Sequence, residues 1–235
     1  MSEIKVAVAT PTDIIYVSQI LQTIEDSAKV RGTGIAKRKP EYIVEKIVQG
    51  KAIIATCDEK FVGFCYVESW GNKKFVANSG LIVRPEFRGH GVAKDIKRAA
   101  FNLSRQLFPE AQIFGLTTAL AVMKINSELG YRPVTFSELT NDDSFWKGCQ
   151  TCVNYDILTR TERKHCLCTG MLYKPEWEKQ GVHETREPET LDYPLPVYDR
   201  WMRFKQFVLL RLLNIKNGSS ASKLGDKKKK IFTFF

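Results

Sequence analysis

Ile82-Val83-Arg84-Pro85-Glu86-Phe87-Arg88-Gly89-His90-Gly91-Val92-Ala93 is a run in which an apolar strand breaks into a two-glycine turn and then opens a helix. Glycines beside an arginine let successive backbone N–H groups converge where the helix begins. The first N–H groups of a helix have no internal partner, and its dipole favours negative charge there, so the corner is a ready anion site. The plainer alternative is a strand-to-helix corner that needs a positive φ at Gly89 or Gly91. The flanking sequence decides between them.

Beyond the corner, Val92, Ile96, Ala99, Ala100, Leu103 and Leu107 recur at helical spacing, and Pro109 follows their end. Before it, Lys51 to Cys57, Phe61 to Trp70 and Phe75 to Val83 read as three strands, with turns at Asp58-Glu59-Lys60 and Gly71-Asn72. Towards the N-terminus, Ile4 to Ala9 alternates as a strand. Pro11-Thr12-Asp13 then starts a helix with Ile14, Val17, Ile20, Leu21 and Ile24 on one face. A basic segment, Lys29 to Lys39, precedes a helix that Pro40 opens and Gly50 ends. On the C-terminal side come a strand at Gln112 to Thr117, a helix at Ala119 to Leu129, and strands at Tyr131 to Phe136 and Thr151 to Leu158. The order β-α-α-β-β-β-α-β-α-β-β predicts an α+β domain, an α/β/α sandwich around a mixed, mostly antiparallel sheet.

The 235 residues suit one domain, residues 1–160, and a C-terminal extension, 161–235. No apolar run reaches the ~18 residues of a membrane span. Met1 to Lys5 lacks an apolar leader core, which predicts a cytoplasmic protein whose six cysteines are mostly free thiols. The net charge is +10, of which Lys227 to Lys230 supply four in a solvated tail. The remaining excess fits an anionic ligand. Nucleic acid is not expected, because the basic residues are scattered without aromatic interleaving.

Arg88 to Ala93 reads R-x-x-G-x-A, which resembles the acyl-CoA pyrophosphate loop of the GNAT N-acetyltransferases, and the element order agrees over roughly residues 3 to 158. Gly34-Ile35-Ala36-Lys37-Arg38, Ile113-Phe114-Gly115-Leu116-Thr117-Thr118 and Glu128-Leu129-Gly130-Tyr131-Arg132-Pro133-Val134 are similar to the acetyltransferase domain of bacterial N-acetylglutamate synthases. The resemblance implies a GNAT fold, in which two neighbouring strands splay around the thioester arm of acetyl-CoA. It further implies pyrophosphate contacts from Gly89, His90, Gly91, Val92 and Ala93, with Arg88 pairing to phosphate oxygens. Ile82 and Val83 would contact the cofactor, and the Val83 N–H, at a strand bulge, would face the thioester carbonyl as oxyanion donor. Lys37, Arg38, Thr117 and Thr118 fall on the acceptor side, where a guanidinium suits a carboxylate.

Three residues, at two places, depart from those patterns. Ala119 and Leu120 stand where the synthases carry a basic residue and a serine, and Arg132 is a substitute to weigh. Asn126 stands where many GNAT enzymes carry an acidic tyrosine; it can contact the CoA sulfur but cannot give it a proton at neutral pH. Glu68 is the nearest carboxylate for a base, against the plainer reading of a solvated strand end.

Cys149-x-x-Cys152 and Cys166-x-Cys168 allow a structural zinc site, although unligated thiols are the simpler expectation and no metal is required. In the extension, Pro175, Pro188, Pro194 and Pro196 mark an irregular arm. An amphipathic helix over about 198–215 follows, with Trp201, Phe204, Val208, Leu209 and Leu212 on one side. Docking on the domain or on a second copy is favoured for it over contact with a membrane surface. The expected activity is acetyl transfer to a small anionic amine, glutamate first, which implies arginine precursor synthesis. The alternatives are another acceptor or acyl group, including succinyl-CoA or a protein lysine, and a non-catalytic acyl-CoA-binding module.

Overall fold

The computed structural model describes residues 3–31 and 38–179. The chain divides into two compact units, Met1–Glu184 and Thr185–Phe235. The second unit lies outside the described residues, as do Lys37, the helix expected over 198–215 and the lysine tail.

The first unit is built on a seven-stranded sheet. Its strands are β1 (Lys5–Val8), β2 (Ala52–Cys57), β3 (Lys60–Trp70), β4 (Phe75–Val83), β5 (Gln112–Thr117), β6 (Arg132–Val134) and β7 (Thr169–Tyr173). The order across the sheet is β1-β2-β3-β4-β5-β7-β6, and β4 with β5 is the one parallel pair. The longer helices are α1 (Val17–Arg31), α2 (Pro40–Val48), α3 (Val92–Leu107) and α4 (Leu120–Glu128). Short helices follow: α5 (Asp143–Lys147), α6 (Tyr155–Arg160) and α7 (Pro175–Lys179).

Strand alternation decides which helix covers which face. Ile53, Cys65, Val67 and Val76 turn to one side, where Ile96, Ala100 and Leu103 of α3 meet them. Their neighbours Ile54, Phe64, Tyr66 and Ile82 turn to the other, against Ile20 and Ile24 of α1 and Ile43 and Ile47 of α2. Fully burying each Val, Ile, Leu or Phe among them contributes about 1.5–3 kcal/mol. A third cluster joins Phe114 of β5 and Leu172 of β7 to Phe136, Trp146 and Leu158.

The segment between β6 and β7 differs from expectation. Thr151 to Leu158 is not a strand: residues 148–151 form a 3-10 turn and α6 begins at Tyr155. The strand that pairs with β5 is Thr169–Tyr173, whose Leu172 faces Phe114 in register. It enters between β5 and β6, so the sheet is completed by residues beyond 160, the expected end of the domain. The strand expected over Tyr131 to Phe136 is three residues long and gives way to a 3-10 turn capped by Thr135.

Candidate active site

The glycine corner has the features of an anion site. Gly89 and Gly91 take φ of +85° and +82°, and Gly91 caps α3 in the left-handed region. A Cβ at either would meet nothing within 4 Å, so the space above the corner is open. Lys94 N and Asp95 N donate to Gly91 O. Among the described residues, the N–H groups of Gly89, His90, Gly91, Val92 and Ala93 have no protein acceptor. Five amides at one helix mouth thus remain to receive an anion. Arg88 is not turned towards them: its Nε donates to Val83 O at 3.0 Å and its Nη2 to Ser27 Oγ at 3.5 Å.

β4 and β5 pair only from Phe75 to Ala77, after which they part. A cavity of about 480 Å³ lies in the opening. Ser79, Gly80 and Leu81 line it from β4, and Gly115, Leu116 and Thr117 from β5. The β-bulge sits at Gly80 and Leu81, where Ser79 to Ile82 on β4 opposes Tyr66 to Phe64 on β3. It therefore precedes Val83, which is back in register opposite Gly63 and does not line the cavity. Gly80 takes φ +67°, and a Cβ there would come within 2.8 Å of the Tyr66 ring. A glycine inside a strand is the sequence signal of a bulge, and it marked this position unread. Ile82 points away from the opening into the core shared with α1 and α2.

The charged end of the cavity is framed by β3 and the start of α2. Arg38 lines the cavity, donates from Nε to Tyr66 Oη at 2.7 Å and lies 5.8 Å from the centroids of both the Tyr42 and Tyr66 rings. Glu68 lines it as well, with Lys46 Nζ and Tyr42 Oη each 2.5 Å from its Oε2. Burial alone would raise the Glu68 pKa, but the hydrogen bonds from Lys46 and Tyr42 outweigh it and hold the carboxyl below its ordinary range. Burial, then the Tyr66 and Glu68 neighbours, push the Tyr42 hydroxyl well up, so it stays a donor. Lys46, Tyr42 and Tyr66 gave no sequence signal, because nothing in the pattern announces which buried polar side chains will meet.

Thr117 lines the cavity and its Oγ1 accepts from Ala119 N at 3.0 Å, whereas Thr118 and Arg132 are not in the lining. Asn126 is 1% exposed, lies outside the lining and leaves its Oδ1 without a hydrogen-bond partner. Cys149, Cys152, Cys166 and Cys168 come together on the far wall of the cavity. Among the described residues, no group of three or more His, Cys, Asp or Glu is arranged to hold a metal ion. Burial and neighbouring cysteines push Cys149 up to about 11 and Cys168 up to about 12. Beneath Asn78, a lining residue, lies a buried polar cluster. Asn78 Oδ1 accepts from Lys97 Nζ and Tyr131 Oη at 3.0 Å each, and its Nδ2 donates to Ser104 Oγ at 2.7 Å.

Residues 19–121 match the model of the acetyltransferase (GNAT) family. No curated protein sequence matches the chain. Among solved structures, it is similar to N-acetylglutamate synthase from Neisseria gonorrhoeae in complex with coenzyme A and N-acetyl-glutamate. The TM-score is 0.52 and the identity 14%, over 74% of this chain and 35% of that one. This chain thus spans about a third of that synthase. Rv2747 from Mycobacterium tuberculosis, in complex with CoA, is 16% identical at TM-score 0.51, over 72% and 98% of the two chains. Diaminobutyrate acetyltransferase EctA from Paenibacillus lautus, in complex with L-2,4-diaminobutyric acid and coenzyme A, is 11% identical at TM-score 0.50, over 74% and 96%. At such identities the likeness concerns the fold, and it agrees with the family match. Strands β4 and β5, the bulge and the open amide corner all lie within the residues that match the acetyltransferase (GNAT) family model, and the fold is the GNAT fold.

Proposed function

We propose that the chain moves an acetyl group from acetyl-CoA to the amine of an amino acid. The observation that carries this reading is the cavity's charge pattern: Arg38 and Glu68 are its only charged lining residues among those described, and they sit beside the gap between β4 and β5. A guanidinium takes a carboxylate through parallel donors, and a carboxylate draws an ammonium. The diphosphate of the substrate would lie on the five amides at Gly89 to Ala93, and its thioester arm in the gap. Leu81, at the bulge and in the lining, replaces Val83 as the backbone donor to the thioester oxygen. The amine nitrogen attacks the carbonyl carbon, the C–N bond forms, and the C–S bond breaks to release coenzyme A. Glu68, held below its usual pKa, orients the amine and takes its proton only weakly, through water. Much of the rate then comes from positioning.

Glutamate as the acceptor, and with it supply of an arginine precursor in the cytoplasm, is the finer reading. Its support is the resemblance of the Lys37-Arg38 segment and the N-acetyl-glutamate bound to the Neisseria synthase. The test is release of free thiol from acetyl-CoA with amino acids, in the native chain and in Arg38→Met. Loss of a charge-assisted pair worth about 1.5–3 kcal/mol should raise the acceptor KM by about 10- to 100-fold with acetyl-CoA affinity unchanged. An unchanged acceptor KM would remove Arg38 from the acceptor site.

A further inference from the structure

The described lining of the cavity is charged at one end only. Among the described lining residues Arg38 is the sole cation, and Glu68 already receives Lys46 and Tyr42. The opposite wall, contributed by residues 136–168, is neutral. Phe136 and Leu158 belong to a buried apolar cluster, and Phe145, Tyr155, Cys149 and Cys168 pack against it. The raised pKa values of Cys149 and Cys168 keep those thiols protonated, so they act as soft apolar groups at neutral pH.

This arrangement discriminates between amino acids by their side chains. The α-carboxylate can go to Arg38, whichever amino acid binds. A side-chain carboxylate would then lose its water against aromatic rings and thiols, with only the neutral Ser144, Asn154 and Tyr155 to bond it and no second cation in the described wall, and burying a charge without a counter-charge is costly. An apolar side chain gains from the same burial, and the aromatic edges give it shape.

We infer that the acceptor is an α-amino acid with an uncharged, apolar side chain, its carboxylate at Arg38 and its side chain against the wall formed by residues 136–168. The inference rests on the transferase reading above and sets a monocarboxylate acceptor against its finer glutamate reading.

The full chain is assayed for CoA release at saturating acetyl-CoA with leucine, methionine, phenylalanine, glutamate and aspartate. For the best apolar amino acid, kcat/KM should exceed that for glutamate by about tenfold or more. A value for glutamate equal to or above it overturns the inference and leaves the transferase standing. Release with none of the amino acids overturns the proposed function itself. Ser144, exposed at the cavity rim, offers a second reading, because its side chain bonds only Asp142 and its backbone N–H keeps that contact in any variant. Ser144→Arg puts a cation beside the neutral wall. It should raise the glutamate-to-leucine ratio of kcat/KM by about tenfold. An unchanged ratio in a folded variant means that the acceptor side chain does not lie there.

Discussion

Lys97 is a lysine almost without water: 2% exposed, 3.0 Å from Asn78 Oδ1 and 4.9 Å from the centre of the Tyr131 ring. Burial pulls its pKa down to about 8, against a smaller opposing effect from Cys65. In the unfolded chain the amine stays protonated to about 10.4. Below pH 8 both states hold the proton, and the fold carries the whole cost of the buried charge. Between pH 8 and about 10.4 the folded amine is neutral while the unfolded one is charged. The unfolded state then binds more protons, and stability rises with pH. The full rise attributable to Lys97 is about 3 kcal/mol. Cys65 and Tyr131, whose pKa values burial raises, titrate nearby and oppose it at high pH. Urea unfolding at pH 7 to 10 should therefore show a stability gain in the native chain relative to Lys97→Met, a difference that cancels the groups common to both. Parallel curves would mean that the amine is hydrated.

At the scale of elements, the bulge and the fifth-strand neighbour show what a sequence reveals and what it hides. The glycine corner and α3 were legible, because both depend on local rules: a left-handed glycine at a helix mouth and apolar residues at helical spacing. β7 was not. Thr169-Gly170-Met171-Leu172-Tyr173 is short and contains a glycine, whereas Tyr155-Asp156-Ile157-Leu158 has the apolar density of a strand and folds as α6. The difference is tertiary. A Cβ on Gly170 would stand 3.1 Å from Val134 O, so the glycine that weakens the strand pattern is what lets β6 approach, a contact no local rule announces. The charged pair of the cavity was half legible in the same way: Arg38 and Glu68 could be named as candidates, but their partners Tyr66 and Lys46 could not. Gly80 ties strand to site, since its bare backbone leaves room for the Tyr66 ring that receives Arg38. Gly80→Ala strains a positive φ and drives a methyl into that ring. It should cost about 1–3 kcal/mol of stability and raise the acceptor KM, with little change in acetyl-CoA affinity. A variant with native acceptor kinetics would show that the bulge does not hold Tyr66 and Arg38 in place.

Over the whole molecule, the sheet that carries the cavity runs past the expected end of its domain. The extent of the resemblance placed the boundary near residue 160, yet β7 lies beyond it and is bonded on both edges, to β5 and to β6. Its Leu172 and Met171 are buried, and Leu172 joins the apolar cluster behind the acceptor wall. A chain cut after residue 160 would lose the strand between β5 and β6, leaving an open edge and an uncovered Phe114. A chain cut after Glu184, at the limit of the first compact unit, keeps every strand of the sheet and the amide corner. The two truncations should thus behave oppositely. The shorter should aggregate or lack a cooperative thermal transition, and the longer should unfold cooperatively and gain melting temperature on adding coenzyme A, as binding to the native state alone requires. If the 1–160 chain folds and binds coenzyme A as well as the 1–184 chain, then β7 is an accessory to the sheet, and the wall assigned to the acceptor loses its support.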